Sequence, residues 1–241
     1  MHNPELFEVI FEDGDLLAVN KAAGLVCHPT KDGEMSSLVG RARLHLGNSA
    51  PPHLVNRLDR ETSGVVIIAK SSIVAGELGK ILESRAIQKE YLAIVHGHVV
   101  AEQGNIDAPL GKDETSRVAI KDCVRPKGAS AQTEYFVERR FSRADVNFTL
   151  LRIIPRTGRK HQIRIHLAHV GHAIVGDKLY GGDEDLYLAL VENRLTPEQR
   201  AELIFENHAL HARAVKFLWR DQPCEFICAP ESWFTDFAGS P

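Results

Sequence analysis

Three segments concentrate residue types able to do chemistry. The first is Asn56-Arg57-Leu58-Asp59-Arg60-Glu61-Thr62-Ser63-Gly64. It sets one carboxylate between two guanidinium groups and follows them with a Thr-Ser-Gly turn. Opposite charges so close favour the ionised carboxylate. An ionised Asp59 in a cleft is able to serve as nucleophile, base or metal ligand. The plain alternative is a charged surface loop with an ordinary ion pair.

The second segment runs from Val146 to Gly176. It carries Arg152, Arg156, Arg159, Lys160 and Arg164 and has no Asp or Glu. Thr157-Gly158-Arg159-Lys160 reads as a turn just before a short helix, and a helix N-terminus beside arginines suits phosphate. Arginine forks also match planar bidentate acceptors. The alternative is a solvated basic face. The third segment, Lys89-Glu90-Tyr91-Leu92-Ala93, places one tyrosine in an aliphatic strand. A core tyrosine with its hydroxyl satisfied is the ordinary reading; a tyrosine that stacks on a base is the functional one.

Two further signals point away from other chemistries. His161, His166, His169 and His172 crowd one stretch, and His166 and His169 are spaced to share a helix face. No H-E-x-x-H occurs there, no carboxylate accompanies them, and five cations would repel a divalent ion. Gly24, Gly33 and Gly40 form neither G-x-G-x-x-G nor G-x-x-x-x-G-K-[ST], so nucleotide-hydrolysing and dinucleotide-binding functions lose support.

Several elements must position these groups. Phe7–Phe11 and Leu16–Asn20, split by Glu12-Asp13-Gly14-Asp15, read as a hairpin. Leu38, Val39, Ala42 and Leu46 give Ser37–Leu46 helical spacing. Val65–Ala69 is a short β-branched run, hence a buried strand, and Ser71-Ser72 offers the N-cap of a helix reaching about Glu83. Glu90–His96 is a strand; Thr133–Arg139 and Asn147–Ile154 alternate as an antiparallel pair. His161–His169 is a short helix. Thr196-Pro197-Glu198-Gln199 has the cap, first-turn proline and box residue of another. His211–Trp219 and Glu225–Cys228 close the chain as strands. Strands in neighbouring runs with few intervening helices predict an α+β fold with a mixed, largely antiparallel central sheet and flanking helices.

Composition sets the frame. The 241 residues hold 29 Lys+Arg against 32 Asp+Glu, a formal net charge of -3. Apolar residues are 44% and charged residues 25%, which excludes disordered, collagen-like and coiled-coil chains. With no repeat, linker or low-complexity tract, one domain over residues 1–241 is expected, with room for two lobes. No apolar run approaches the roughly 20 residues that span a bilayer, and the N-terminus has no signal-peptide pattern. Cys27, Cys123, Cys224 and Cys228 form no C-x-x-C and read as reduced thiols behaving as small hydrophobes in a cytoplasmic protein. A nucleic-acid partner would have to meet local rather than global positive charge.

Together these residues resemble the RluA-type pseudouridine synthases. Arg57-Leu58-Asp59-Arg60-Glu61-Thr62-Ser63-Gly64 is similar to that family's R-L-D-x-x-T-S-G signature. Leu17-Ala18-Val19-Asn20-Lys21 with Gly24-Leu25-Val26 and His28-Pro29 resembles its V-N-K-P-x-G opening. Lys89–Ala93 resembles its K-x-Y-x-A strand, and Thr157–Leu167 its T-G-R-x-H-Q-I-R-x-H motif. Gly176-Asp177-Lys178-Leu179-Tyr180-Gly181 and Leu210-His211-Ala212 follow in order. The likeness covers about residues 7 to 220.

The resemblance implies a pseudouridine synthase-like fold with a central catalytic cleft, acting on ribosomal or transfer RNA. It implies that Asp59 is catalytic, with Arg164 as its charge partner. Tyr91 would stack on the target base and assist a later proton step, and Arg57 would fill the gap left by a flipped nucleotide. Arg60, Arg156, Arg159, Lys160 and His161 would complete the RNA contacts. The reaction it implies is an isomerisation: uracil is detached from C1′ at N1, turned and rejoined through C5. No cofactor and no metal are expected, and a monomer is expected. Whether Asp59 attacks C6 or C1′, or takes a proton at C2′, stays open.

Two positions depart from the pattern. Asn56 stands where the family commonly has His, and Ala22 where it often has Pro. With the first strand expected so near residue 1, RNA selection is expected to fall to the catalytic domain, with Asp113–Ala131 and the acidic, helical Gly182–Gln199 the segments expected to carry it. Two other functions compete. A non-catalytic RNA-binding or RNA-folding protein would gain nothing from an ionised Asp59 beside phosphates, and a metal-dependent hydrolase would need the histidine-rich helix as ligands.

Overall fold

The computed structural model describes residues 7–29, 33–47 and 51–239. In chain order the elements are β1 (Glu8–Glu12), β2 (Leu16–Lys21), α1 (Leu38–His45), β3 (His53–Leu54), β4 (Ser63–Ala69), α2 (Ser72–Glu83), β5 (Gln88–His96), β6 (Gln103–Asp107) and β7 (Leu110–Lys112). They continue with β8 (Asp122–Val124), β9 (Gln132–Arg143), β10 (Val146–Pro155), α3 (Gln162–His169), α4 (Asp185–Val191), α5 (Pro197–Leu203), β11 (Leu210–Trp219), β12 (Gln222–Ile227) and α6 (Ser232–Ala238). The chain divides into two units: Met1–Glu90 with His211–Thr235, and Tyr91–Leu210 with Asp236–Pro241.

In the first unit the strand order is β1-β2-β4-β11, with β3 also on β4 and β12 on β11. The hairpin expected from Phe7–Asn20 is present. Its turn is fixed by the Asp13 carboxylate, which accepts from the backbone N–H of Asp15 and Leu16 at 2.8 and 2.6 Å. Every residue of β4 is buried, as its unbroken apolar run requires. Ser71 caps α2 through the Val74 N–H at 3.3 Å, and Val74 and Leu78 lay the helix onto Leu16, Ala18, Val65 and Ile67. All pairs here are antiparallel except β4–β11, which is parallel, with Ser63 opposite His211 and Gly64 opposite Ala212. Gly64 has φ +115°, and a Cβ there would stand 2.2 Å from the Ala212 carbonyl oxygen. Only glycine lets β11 come that close.

In the second unit the order is β5-β10-β9-β6, all antiparallel, beside a separate β7–β8 ribbon. β9 and β10 run longer than their alternation suggests, from Val146 opposite Arg143 to Pro155 opposite Thr133. Ile94, Phe148, Leu151 and Ile153 are buried on this sheet. The Thr196 capping box of α5 forms with both of its hydrogen bonds, and α4 and α5 share a small core of Leu186, Ala189, Leu195 and Leu203. The segment expected as the loop Asp113–Ala131 contains a strand, β8, because Leu110–Lys112 supplies an edge for it. The strands β3, β6, β7 and β8 and the helix α6 are too short or too polar to show in the periodicity. The architecture is α+β and mostly antiparallel. Among the described residues no helix is long and apolar enough to cross a membrane.

Candidate active site

In the first unit, the irregular segment between β3 and β4 carries the Asp59 loop. Its backbone is held at nearly every step. The Asn56 side chain donates to the Val65 carbonyl at 3.1 Å and accepts from the Ile67 N–H at 2.8 Å. The Cys27 thiol lies against Leu58, 3.4 Å from its carbonyl and 3.5 Å from its N–H. The Arg60 carbonyl accepts from the Gly24 N–H at 2.9 Å and from the Lys21 ammonium at 3.1 Å. Thr62 N–H returns to the Asp59 carbonyl at 3.2 Å. Leu58 is buried, Asp59 half-buried, and Arg57 and Arg60 exposed.

Lys21 is fully buried and also donates to the carbonyls of Ala22 and Leu25, at 2.9 and 2.8 Å. Burial pushes its ammonium down to about 8, and the neighbouring Cys27, Glu231 and Asp59 offset part of that. Behind the loop, Ser63 Oγ and His211 Nδ1 are 2.9 Å apart, and His211 Nε2 is 3.1 Å from the Cys228 carbonyl. A carbonyl only accepts, so Nε2 carries the proton. Burial lowers the His211 pKa and keeps the ring neutral, leaving Nδ1 to accept from Ser63.

In the second unit, Gln162 organises the Thr157–His161 turn. Its amide oxygen accepts from Thr157 Oγ1 at 2.7 Å and from the Arg159 N–H at 3.0 Å. Its amide nitrogen donates to the Gln132 carbonyl at 2.8 Å and to Thr133 Oγ1 at 3.0 Å. His161 is not the first helical residue, as the pattern predicts, but the cap, in left-handed backbone with φ 54°.

Arg164 is buried and forms a two-pronged pair with Asp177, at 2.7 and 2.8 Å. Asp177 also accepts from the N–H groups of Leu179 and Tyr180 at 2.9 and 3.0 Å. Burial alone would raise its pKa; the Arg164 charge and these donors instead hold it far below the usual carboxylate range. The guanidinium sits 5.0 Å from the Tyr180 ring centre, and the Tyr180 hydroxyl lies 2.9 Å from His161 Nδ1. Tyr91 is buried in β5 opposite Ile153.

The basic track loses its apparent excess in three dimensions. Arg152 meets Glu138 at 2.9 Å and lies 4.2 Å from the Phe136 ring centre. Arg156 makes two bonds to Glu134 at 2.8 and 2.7 Å, and Lys160 meets Asp122 at 2.8 Å. Arg159 Nε donates to the Ser130 carbonyl at 3.1 Å. The partner strand β9 and the ribbon strand β8 supply the acids that the linear segment lacks.

The histidine-rich helix is likewise used internally. His166 is fully buried, with Nε2 2.9 Å from the Ala108 carbonyl and Nδ1 2.9 Å from Thr133 Oγ1. His169, at the end of the same helix, is exposed. His172 Nδ1 donates to the His96 carbonyl at 3.0 Å. Among the described residues no group of three His, Cys, Asp or Glu side chains is placed to hold a metal. Sequence reasoning gave no positioning role to Asp177, Gln162 or Lys21, read Cys27 only as a small hydrophobe and noted Asn56 only as a departure from the pattern. Most of them lie inside the quoted motifs, which was the available signal.

The sequence pattern described as RNA pseudouridylate synthase matches residues 15–169. The chain belongs to that family.

Within this pseudouridine synthase family, several curated relatives are similar over most of the chain. "Ribosomal large subunit pseudouridine synthase D" of Zymomonas mobilis is 33% identical over 218 residues, covering 88% of this chain and 64% of the relative. The protein of the same name from Xanthomonas campestris is 38% identical over 213 residues, covering 87% and 61%. An uncharacterised RNA pseudouridine synthase, YhcT of Bacillus subtilis, is 35% identical over 182 residues, covering 74% and 59%. The chain thus spans less than two thirds of the length of these relatives. The solved structure titled "Human RNA Pseudouridylate Synthase Domain Containing 1" superposes with a TM-score of 0.75 at 24% identity, covering 96% of this chain and 86% of that one. That match shows the shared fold.

Proposed function

We propose that this protein is an RNA pseudouridine synthase with Asp59 as its catalytic group. The observation that carries this reading is the intact R-L-D-R-E-T-S-G loop. Its backbone is tied at Leu58, Asp59, Arg60 and Thr62, while Asp59 stays half-buried and Arg57 and Arg60 stay exposed. A reaction that breaks the C1′–N1 bond and forms a C1′–C5 bond needs one well-placed carboxylate and no net redox change. The hydrogen on C5 leaves as a proton when the new bond forms. A target uridine in folded RNA must leave its stack at a cost of about a few kcal/mol. An exposed guanidinium such as Arg57 suits the vacated space, because its plane stacks on bases. Tyr91 is proposed to stack on the target base and assist the proton step, and Arg164, whose orientation Asp177 sets, to act as the charge partner of Asp59. Arg60, Arg156, Arg159, Lys160 and His161 are proposed RNA contacts. The paired cations do not contradict this, since exposed ion pairs are worth about 0–1 kcal/mol and exchange readily for phosphate.

Large-subunit ribosomal RNA is the proposed substrate, because the similar proteins from Zymomonas and Xanthomonas carry that substrate in their names. The test is tritium release from RNA labelled at C5 of uridine, with ribosomal and transfer RNA offered separately. Release from ribosomal RNA that vanishes in Asp59→Ala is the expected result. Normal release by Asp59→Ala would overturn the role of Asp59. Release from transfer RNA alone would overturn the substrate class. Tight RNA binding without release from either pool would favour a binding protein on this scaffold.

A further inference from the structure

Asn56 is the one position in the Asp59 loop where this chain departs from the pattern it resembles. It is 5% exposed, and its amide is spent on the backbone of β4: the nitrogen donates to the Val65 carbonyl at 3.1 Å and the oxygen accepts from the Ile67 N–H at 2.8 Å. One residue earlier, the Val55 N–H bonds the Ile67 carbonyl at 2.9 Å, and before that β3 pairs with β4 in regular register. At residue 56 the side chain takes over the ladder that the backbone abandons. The main chain is thereby able to turn away and present Asp59 three residues on, while β4 loses no hydrogen bond. Leu58, between them, lies against the Cys27 thiol through both its carbonyl and its N–H.

We infer that Asn56 is a positioning residue: its two-handed amide fixes where Asp59 stands. This rests on the proposed catalytic role of Asp59. It also accounts for the departure. A neutral imidazole, like an amide, offers both a donor and an acceptor, so His is able to make the same pair of bonds and titration is not required.

Turnover on C5-labelled RNA, with kcat and KM separated and rates normalised to folded protein by circular dichroism, tests this in Asn56→Ala, Asn56→Asp and Asn56→His. Misplacement of a reacting group by about 1 Å costs up to roughly 100-fold in rate. Asn56→Ala is therefore expected to lower kcat about 10- to 100-fold with KM within about twofold. Asn56→His is expected to stay within about threefold of the parent, because it restores both bonds. Asn56→Asp keeps the shape and the acceptor but loses the donor, and is expected to fall about tenfold below Asn56→His at equal KM. A residue that only stabilised the fold would lower the melting temperature and leave kcat per folded molecule unchanged; that result in Asn56→Ala would overturn the inference. If Asn56→Ala does not fold, equal kcat in Asn56→Asp and Asn56→His overturns it instead. Asp59→Ala in the same assay separates the two ideas. An active Asp59→Ala protein would refute the catalytic reading. An inactive one beside a fully active Asn56→Ala would refute only the clamp.

Discussion

The Asp59 loop and the basic segment look alike in sequence, both dense in charge, but they are built in opposite ways. In the loop, most of the holding is done by neutral groups, with the buried Lys21 ammonium as the charged tie, on the Arg60 carbonyl. An amide, a thiol and backbone N–H groups fix residues 56, 58 and 60, and the charged side chains point outward or stand half-buried. In the basic segment, the charges are themselves the ties. Arg152, Arg156, Lys160 and Arg164 each meet a carboxylate from another element. The loop is tied mainly through its backbone and the Asn56 amide; the segment is tied mainly through its charged side chains. Within the segment the pairs differ again. Arg164–Asp177 is buried and doubly hydrogen-bonded, whereas Arg156 and Glu134 remain partly in water.

That contrast breaks most directly at Asp177. Removing one partner of a buried pair leaves the other charge uncompensated, at roughly 3–5 kcal/mol. Asp177→Ala is expected to lower the melting temperature by many degrees and to impair turnover; a loss as small as that of a surface variant would erase the distinction between the pairs. The pH dependence has a definite sign. The Asp177 pKa is depressed below its ordinary value of 3.8 on folding. Its contribution is therefore complete above about pH 4 and declines as pH falls further. Urea titrations of the parent and of Asp177→Asn at about pH 6 and about pH 3 should show the gap between them narrowing at the lower pH.

Gly64→Ala comes next. The added Cβ meets the Ala212 carbonyl oxygen at 2.2 Å with φ +115°. Backbone strain of this kind costs on the order of 1–3 kcal/mol, and the clash adds to it. Because Gly64 ends the Asp59 loop, the expected result is a destabilised protein with weakened β4–β11 pairing, visible as faster amide exchange at the start of β4 and β11. Unchanged exchange would show that the loop does not depend on that contact.

The smallest effects belong to the exposed pairs. Glu134→Gln should change stability by no more than about 1 kcal/mol. Arg156→Ala should reduce the salt dependence of RNA binding by about one counterion while altering the melting temperature little. A salt slope unmoved by Arg156→Ala would place the RNA track elsewhere.

Much of this was legible before any coordinates. The β4 strand is an uninterrupted β-branched run, Ser71 and Thr196 are strong caps, and β9 and β10 alternate; each became the expected element. The ordered motifs also located the Asp59 loop and the α3 turn. What escaped were partners distant in sequence. Glu134 and Glu138 sit on β9, opposite β10, and only strand register brings them to Arg156 and Arg152. Asp177 lies 13 residues after Arg164, where no helical spacing connects them. The spacing of His166 and His169 did not show that burial would take one ring and leave the other in solvent.

The sequence by itself determined the family, most of the local elements and the position of the Asp59 loop, because caps, periodicity and motif spacing are short-range properties. Only the tertiary structure decided which charges are neutralised, which histidines are spent on carbonyls and hydroxyls, and what holds Asp59's backbone. Those outcomes depend on strand register and burial, and both are settled by the packing of elements far apart in the chain.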